Sequence, residues 1–597
     1  MIRRFFLLFI FSIYLYASQQ NIINNANDIQ LYNKNEWKAL LHYNNSLNIK
    51  DNSFILSKEF SLQNEMNATI NGFYSSQENY EGINNHPQCK FPARLLFITH
   101  ELNISKNEFP KIDCPNLKTY IQKAPADNIS LIYASENVKN PSSMMGHTFL
   151  KFSGKNYKSR EVEHAITFYT ILDSFNLITL AYQNVFSGMK GMFALQPYKK
   201  IVEQYTKKEN RNVWEYQLNL SEYRRTLIYY HIWELKDIDM QYFFTNYNCS
   251  TVIYYTLSLV NPKIYDDNKL WITPLDTVKF LYKYNLIKKS ELFPSDEWLV
   301  KMTTENLNSD KIDKIKNIIK NKQYNEISKL DFNSLQLLRV YNNIKYKEGD
   351  INKIDFKILS NKIDSTLKND TNVYDISNYK SPNKIPNERQ INIGYKNINK
   401  ENFLKLSFLS ASHLLNGNNK EYFGESELKI GYLSIVVNKD TLELDEFTLY
   451  AMKSYIPYNT LTNDLSYQFE LAIKKEYSED MSYIDTFKID GGIGMDFSLW
   501  NDINLFAILN FGVGYNSEDN AHLFFNPQIG GMIYEILNMK SLIYYEPFYI
   551  EKNKVYDKYI LKHNIFVNQN WTISGGIQSV RGKKSYINYE FSLKYLF

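Results

Sequence analysis

The clearest structural signal in the chain is a period of two over residues 588–597, Asn-Tyr-Glu-Phe-Ser-Leu-Lys-Tyr-Leu-Phe. Polar residues stand at 588, 590, 592 and 594, and between and after them come Tyr589, Phe591, Leu593, Tyr595 and Phe597. Because successive side chains of a β-strand point to opposite faces, this alternation predicts a strand with one apolar face.

The same alternation recurs upstream, and it is clearest in residues 465–473, 505–515 and 571–577. From about Asn387 to Phe597 it predicts roughly twelve strands separated by turn clusters, an even number that is typical of a bacterial outer-membrane barrel. A soluble β-sandwich has the same alternation and is the competing interpretation. Aromatic residues near both ends of many segments, and the terminal Phe597, favour the barrel. The last residues also resemble the C-terminal recognition signal of outer-membrane barrel proteins.

The other end of the sequence predicts export. Residues 1–18 contain Arg3 and Arg4, an apolar run from Phe5 to Tyr16 and a small-residue exit at Ala17 and Ser18. This is the pattern of a secretory signal peptide. The apolar run is shorter than the ~20 residues that span a bilayer, and no apolar stretch of that length follows it, which excludes an inner-membrane helix bundle.

Composition narrows the class of protein further. The 597 residues carry 68 Lys and Arg against 64 Asp and Glu, a net charge of +4 that disfavours a nucleic-acid partner. An aromatic content of 15% is too high for a disordered chain. A chain of this length should fold into several domains.

The fold class predicted is therefore multidomain. After the signal peptide we expect a helical N-terminal domain at 19–124, an α+β domain at 125–300, a helical segment and linker at 301–386, and the barrel at 387–597. In the α+β domain the pattern predicts strands near 129–134, 148–152 and 163–170 and helices near 221–236 and 248–260. Two Pro breakers in 381–386 indicate the linker into the barrel.

Three cysteines in an exported chain leave one unpaired. Cys89 and Cys114 lie 25 residues apart in one local block, and we expect them to form a disulfide. Cys249 then remains a free thiol in an oxidising compartment, where such a thiol is a liability unless it is buried or used.

The sequence around Cys249 indicates that its thiol has a chemical role. Asn248 precedes it and the apolar run 252–260 follows, so Asn248 can act as the N-cap and Cys249 falls in the first helical turn. A helix N-terminus favours the thiolate, and its unpaired N–H groups could hold an oxyanion. Asn248 and Cys249 are therefore the candidate oxyanion and N-cap residues.

A base must come from elsewhere in the α+β domain. His147 stands at the head of one predicted strand, and His164 follows seventeen residues later in the next, with a turn between them. One imidazole could act as base and the other could orient it, which gives the catalytic candidates Cys249, His147 and His164.

Simpler interpretations stay open beside this one. A lone Cys in an apolar helix is often a packed core thiol, and a strand His is often a hydrogen-bonded structural residue. No Cys or His pair stands at metal-ligand spacing, and no phosphate-binding glycine loop precedes a helix, so we expect no metal and no cofactor.

Several spaced motifs carry a family resemblance: Gly146-His-Thr-Phe-Leu-Lys-Phe152, Glu209-Asn-Arg-Asn-Val-Trp-Glu-Tyr216, His231-Ile-Trp-Glu-Leu235, Tyr247-Asn-Cys-Ser250 and Thr273-Pro-Leu-Asp276. Together, over about residues 125–300, they resemble the Lnb N-terminal periplasmic domain family, named after bacterial lipoprotein N-acyltransferases. The order of His, His and Asn-Cys also resembles circularly permuted papain-like enzymes such as lecithin retinol acyltransferase. The resemblance implies Cys249 as nucleophile, His147 as general base and His164 as orienting partner.

The chain departs from Lnb itself, which has transmembrane helices after its periplasmic domain, whereas this sequence predicts a barrel. We therefore expect an outer-membrane-anchored cysteine acyltransferase or hydrolase whose soluble domains lie in the periplasm. Its expected partners are outer-membrane lipids and a lipoprotein or peptidoglycan substrate. The alternatives are a peptidoglycan or peptide amidase and a non-catalytic barrel for transport or envelope organisation.

Overall fold

The computed structural model describes residues 18–597, apart from 81, 138–144, 171–186, 244–245, 268, 270, 306, 369–378, 412, 501 and 552. Almost all of the predicted signal peptide, and residues 369–378 of the predicted helical segment and linker, therefore lie outside the described residues. The chain divides into two compact units. The first comprises residues up to Ala134, His147–Gln204 and Trp214–Glu291, and the second comprises Ser135–Gly146, Tyr205–Val213 and Leu292–Phe597.

The first unit begins with short helices, as the sequence predicts. They span Asn35–Leu40, Leu62–Tyr74, Pro87–Lys90, Pro92–Glu101 and Pro115–Lys123. Single 3-10 turns lie at Leu31–Asn33, Asn52–Phe54, Gln77–Asn79, Ile83–Asn85 and Lys106–Glu108. The two-residue strands Tyr43–Asn44 and Ser46–Leu47 form a short hairpin. The predicted Cys89–Cys114 disulfide is confirmed, and it joins two of these helices near their starts.

A seven-stranded sheet forms the rest of this unit. Its order is Met240–Tyr242, Met189–Pro197, Glu161–Thr170, His147–Lys155, Asn128–Ala134, Val213–Leu218 and Ile287–Phe293. The accompanying helices are Tyr198–Glu203, a π turn Gln204–Lys208, Glu222–Leu235, Cys249–Val260, Lys263–Asp266 and Pro274–Lys283. The strand His147–Lys155 pairs antiparallel with both of its neighbours. Apolar side chains make Cys249–Val260 a buried central helix.

Helices also begin the main segment of the second unit, at Asp296–Thr304, Ser309–Lys320, Phe332–Glu348 and Lys353–Leu367, with 3-10 turns at Tyr324–Lys329 and Pro382–Lys384. Apolar residues at helical spacing along these helices pack into one core, which includes Ile315, Ile318, Leu335 and Leu338. The 3.6-residue period of the sequence thus predicts both the helices and the faces they bury.

The remainder of this unit is a closed antiparallel barrel, so the competing sandwich interpretation is wrong. Its strands are Gln390–Ile398, Glu401–Ala411, Glu425–Val437, Leu442–Tyr455, Ser466–Tyr477, Tyr483–Trp500, Ile503–Asn516, Asn520–Phe525, Gln528–Glu535, Met539–Ile550, Asn553–Phe566, Trp571–Gly582 and Ser585–Leu596. The first strand pairs with the last, which closes the sheet.

These thirteen described strands fill twelve places around the barrel. Asn520–Phe525 and Gln528–Glu535 pair with successive parts of the same neighbour, Ile503–Asn516, and so act as one interrupted strand. The interruption falls at Asn526 and Pro527. Proline cannot donate a hydrogen bond to a neighbouring strand, which accounts for the break there. The predicted count of about twelve strands is confirmed.

Along each barrel strand, side chains point alternately outward to the lipid and inward to the lumen. In the last strand Ile587, Tyr589, Phe591, Leu593 and Tyr595 are 39–65% exposed on the outer surface. Their polar neighbours, such as Asn588, Ser592 and Lys594, are buried inside. An apolar exterior with a polar interior is the arrangement of a transmembrane barrel.

The lumen is partly filled at the end where the chain enters and leaves the barrel. Leu415, in the segment 413–424 between two strands, packs against Tyr455, Phe506 and Leu542. Lys540 donates hydrogen bonds to the carbonyl oxygens of Leu415 (2.6 Å) and Gly417 (3.1 Å). This segment therefore folds inward and occupies the mouth.

An apolar cluster fills the opposite end of the lumen. It contains Tyr477, Met481, Phe524, Phe548, Ile550, Val555, Tyr556 and Val580, with Tyr483 and Tyr586 packed against it. Tyr477 and Tyr586 come from strands that lie five places apart around the barrel, yet their rings stack at 5.4 Å. The cluster therefore spans the lumen.

None of the helices among the described residues has the length and apolar character needed to cross a bilayer.

Replacing both Cys89 and Cys114 by serine should destabilise the first unit. In the chain-entropy model a loop of this size stabilises the fold by roughly 3 kcal/mol. We expect the unfolding transition of this unit in scanning calorimetry to move to lower temperature. An unchanged thermogram would show that the loop is held without the disulfide.

Candidate functional site

Cys249 opens the central helix of the first unit, with Asn248 as its N-cap. The Asn248 side chain accepts hydrogen bonds from the N–H groups of Ser250 (2.9 Å) and Thr251 (3.0 Å). The Thr251 hydroxyl accepts in turn from the Asn248 N–H at 3.4 Å, which completes a capping box. The thiol is therefore fixed in the first turn, where the helix dipole favours a negative charge.

The structure brings His147 to this thiol. The sulfur of Cys249 hydrogen-bonds the His147 imidazole and the backbone N–H of Thr148 at the start of the neighbouring strand. Burial, which leaves the residue 5% exposed, raises the pKa of the thiol, but the two strand contacts and the Ser250 hydroxyl outweigh it and lower the pKa to about 7. These contacts therefore favour the thiolate form at neutral pH more than an ordinary cysteine side chain would allow.

A third side chain at the thiol was missed by sequence reasoning. The phenol of Tyr242 hydrogen-bonds both the sulfur and the backbone N–H of Cys249. Burial, followed by the nearby thiolate, raises the pKa of Tyr242 well above its ordinary value, so the phenol stays protonated and can donate. Tyr242 ends a strand of three residues, too short for an alternation pattern to reveal.

The hydrogen bonds of the N-cap limit which N–H groups at the start of the helix can bind an oxyanion. Asn248 takes up the N–H groups of Ser250 and Thr251, so these two donors are not free to hold an oxyanion. The Cys249 N–H is also taken up, by the oxygen of the Tyr242 phenol beside the sulfur. A carbonyl oxygen would have to displace the phenol oxygen from this N–H before the Cys249 N–H and the Tyr242 O–H could hold it together.

His164 lies away from the other two candidates. It pairs across the sheet with Phe152, five positions beyond His147 on the same strand. At about 3.3 Å per residue the two histidines are separated by about 16 Å along the strand, so His164 cannot hydrogen-bond His147. Burial lowers the pKa of His164, and its Nδ1 hydrogen-bonds none of the described residues. The structure therefore gives His164 no part in orienting His147.

The described residues contain no group of three or more His, Cys, Asp or Glu side chains arranged to hold a metal ion. The expectation that no metal or cofactor is needed stays a prediction. The chemistry that the geometry supports is that of an ionisable thiol beside an imidazole and a phenol.

The fold and site define an outer-membrane β-barrel protein that carries a separate α/β domain with a Cys/His pair. Residues 116–284 match the Lnb N-terminal periplasmic domain family, which confirms the resemblance predicted from the motifs. Residues 380–596 and 29–101 match two families described as domains of unknown function, DUF7840 and DUF7843. The barrel and the periplasmic domain together locate the protein to the outer membrane, with its soluble part in the periplasm.

Comparison with proteins of curated function gives no match. Among solved structures, a KdgM porin aligns with 35% of this chain and 99% of its own at 10% identity and a TM-score of 0.23. The COG4313 outer membrane channel from Pseudomonas putida F1 aligns with 38% of this chain and 100% of its own, at 11% identity and a TM-score of 0.25. Likenesses at this level say nothing about what the chain does.

Replacing His147 by alanine should raise the pKa of the Cys249 thiol, because burial then acts without its main counterweight. A return from about 7 toward the ordinary value of 9.0 would lower the thiolate fraction at pH 7 about fifty-fold. The measurement is the rate of alkylation of Cys249 by iodoacetamide between pH 5 and pH 10, since Cys249 is the one cysteine outside the disulfide.

The matched control is His164→Ala, which removes the same side chain from the same sheet. We expect it to leave the alkylation profile unchanged. If the two variants shift the profile equally, the imidazole of His147 is not what activates the thiol.

Proposed function

We propose that this protein is an outer-membrane-anchored periplasmic cysteine acyltransferase or hydrolase, which acts on lipid or lipoprotein acyl groups through an acyl-enzyme. The observation that supports the proposal is the contact of the Cys249 thiol with His147 at the N-terminus of a buried helix. A thiol with a pKa of about 7 beside an imidazole is the arrangement of a nucleophile with its acid–base partner.

The reaction would proceed in two balanced steps. The Cys249 thiolate attacks the carbonyl carbon of an ester, a C–S bond forms, and the oxyanion is held by the Cys249 N–H and the Tyr242 O–H. The C–O bond then breaks while the His147 imidazolium gives its proton to the departing alcohol, which leaves a thioester. In the second step His147 takes a proton from an amine, hydroxyl or water that attacks the thioester, and the thiolate is released.

The proposed substrate class follows from attachment to the membrane. A domain that shares one chain with a lipid-embedded barrel stays close to the bilayer, where acyl esters are concentrated. The Lnb resemblance adds lipoproteins, since that family takes its name from lipoprotein N-acyltransferases. Peptidoglycan or peptide amide hydrolysis is the alternative, because the same thiol and oxyanion donors act on amides.

An acyl adduct on Cys249 is the direct test. After incubation of the detergent-purified protein with phospholipid, we expect peptide mass spectrometry to find the mass of one acyl chain on Cys249. The adduct should be absent from His147→Ala and present in His164→Ala. Release of peptide from wall fragments, with no adduct from phospholipid or lipoprotein, would instead select the amidase.

The barrel, in this proposal, is an anchor and not a pore. The inward-folded segment 413–424 occupies one mouth, and the aromatic cluster around Tyr477 spans the other end. The lumen also holds paired charges, such as Lys558 with Glu546 at 2.9 Å and, at the mouth, Lys540 with Glu425 at 2.5 Å. Lys540 and Glu425 come from strands six places apart, so this ion pair crosses the lumen.

Planar-bilayer recording tests the role of the barrel. Because both ends of the lumen are packed, we expect the reconstituted protein to show no stepwise conductance. A variant without residues 414–421 and with Tyr477→Ala and Tyr556→Ala is the control that should open the lumen. Steps from the unmodified protein that match those of this variant would favour the transport alternative.

A further inference from the structure

The turn that leads into Cys249 is held from the N-terminal helices. The chain leaves the strand Met240–Tyr242, and the N–H of Phe243 donates to the carbonyl oxygen of Tyr247 at 3.0 Å before the helix begins. Tyr242 contacts the thiol from one side of this turn. Tyr247, on the other side, makes its contact with a residue some two hundred positions earlier, His42.

Tyr247 begins a buried chain of polar groups. Its hydroxyl lies 2.5 Å from Nδ1 of His42, and Nε2 of His42 lies 2.9 Å from Nε2 of His231. Nδ1 of His231 is 3.6 Å from Oε2 of Glu234. Tyr247, His42, His231 and Glu234 are each no more than 2% exposed. The chain therefore runs through the core of the first unit.

The two hydrogen bonds of His42 are linked to each other. Burial, followed by His231 and Arg94, lowers the pKa of His42 well below its ordinary value, so its ring is neutral. A neutral imidazole carries one N–H, so His42 donates to one of its two partners and accepts from the other. The last link, between His231 and Glu234, is an electrostatic contact at 3.6 Å and not a hydrogen bond.

The far end of the chain is fixed within the N-terminal helices. Oε1 of Glu234 accepts hydrogen bonds from the N–H groups of Ala93 (2.7 Å) and Arg94 (3.0 Å), at the start of the helix Pro92–Glu101. The guanidinium of Arg94, fully buried, pairs with Glu65 at 2.9 Å and donates to the carbonyl oxygen of Phe54 at 2.7 Å. Glu65 in turn accepts from the N–H groups of Leu56 and Ser57.

Such a chain is a costly way to join two groups of helices, because each charged group had to leave water. Apolar side chains of the same size could pack these helices equally well. What a hydrogen-bonded chain adds is a unique geometry, since each donor and acceptor specifies the position of the next. Here the chain ends on the residue two positions before Cys249.

We propose that His42 and Tyr247 are positioning residues, through which the N-terminal helices hold the turn that presents Cys249 to His147 and Tyr242. This inference rests on the proposed role of Cys249 as the nucleophile. It gives the N-terminal domain a part in the reaction, although none of its side chains touches the thiol in the described residues.

Two tyrosines of the same region provide a matched test. Tyr247 hydrogen-bonds His42 and donates to Sδ of Met240 at 3.5 Å, while Tyr255, further along the Cys249 helix, accepts from Nδ2 of Asn48 at 2.7 Å. Each is buried and each bonds a residue of the N-terminal domain, but only Tyr247 lies in the turn. Tyr247→Phe and Tyr255→Phe both keep the ring and remove a buried hydroxyl with its hydrogen bonds.

The readouts are iodoacetamide alkylation of Cys249 against pH and the thermal midpoint, in the full-length protein in detergent. We expect comparable losses of stability, but only Tyr247→Phe should shift the alkylation profile. A rise of about one unit in the thiol pKa would slow alkylation at pH 7 about five-fold. Equal profiles for the two variants, whether shifted or unshifted, would overturn the proposal.

A second pair of variants tests the same proposal if the Tyr247→Phe protein cannot be produced in folded form. His42→Gln changes the partner of the Tyr247 hydroxyl, and Tyr254→Phe removes another hydroxyl of the Cys249 helix, which donates to the carbonyl oxygen of Tyr265 at 2.7 Å. The same contrast between the two profiles is expected. Alkylation needs no acyl substrate, so a failed phospholipid adduct would disprove the proposed function without touching this result. An adduct that forms equally in both variants, with equal alkylation profiles, would disprove only the positioning role.

Discussion

The pairing of the first barrel strand, Gln390–Ile398, with the last, Ser585–Leu596, is the constraint that the membrane part of the molecule cannot do without. Inside a bilayer no water is available for an unpaired strand edge, so an open sheet would leave a row of unsatisfied N–H and C=O groups in hydrocarbon. The joint is secured beyond the strands themselves. The N–H of Phe597 donates to the carbonyl oxygen of Arg389 at 2.9 Å, and Nε of Arg389 donates back to Phe597 at 3.1 Å.

Closure sets the chemistry of the interior. Every second side chain of each strand points inward, so the narrow lumen must accommodate all of these side chains. The charged ones among them need oppositely charged partners. Lys405 with Glu590 at 2.9 Å and Lys429 with Glu446 at 2.7 Å are two of these pairs. Each such pair offsets part of the cost of burying a charged side chain in the lumen.

The parts of the fold that sequence predicts are those with a local cause. Strand alternation predicted the barrel, apolar spacing predicted the helices around Leu335, and Asn248 before an apolar run predicted where the Cys249 helix begins. Tyr242 could not be found this way, because its contact with Cys249 depends on the path of a turn and not on any repeat. The same holds for His42, whose partners lie in distant segments.

His164 shows that a sequence pattern can also suggest a contact that the fold does not make. Two histidines in adjacent strands satisfy the sequence pattern of a catalytic pair, but which residues meet is decided by the register between the strands. That register places His164 opposite Phe152 and not opposite His147. A shift of a few residues would have changed the outcome without altering either strand, so the sequence pattern alone could not decide it.

The thiol of Cys249 is placed between two opposing requirements. In an oxidising compartment an exposed thiol is prone to oxidation and exchange, and burial protects it. Burial also disfavours the thiolate that a nucleophile needs. The Thr148 N–H, the His147 imidazole and the helix N-terminus resolve the conflict, since fixed donors stabilise the thiolate without exposing it to water. Such donors act only if the sulfur is held within hydrogen-bond distance of them. Under the proposed role of Cys249, the turn before it and the buried chain that ends on Tyr247 would therefore allow the thiol to be both protected and reactive.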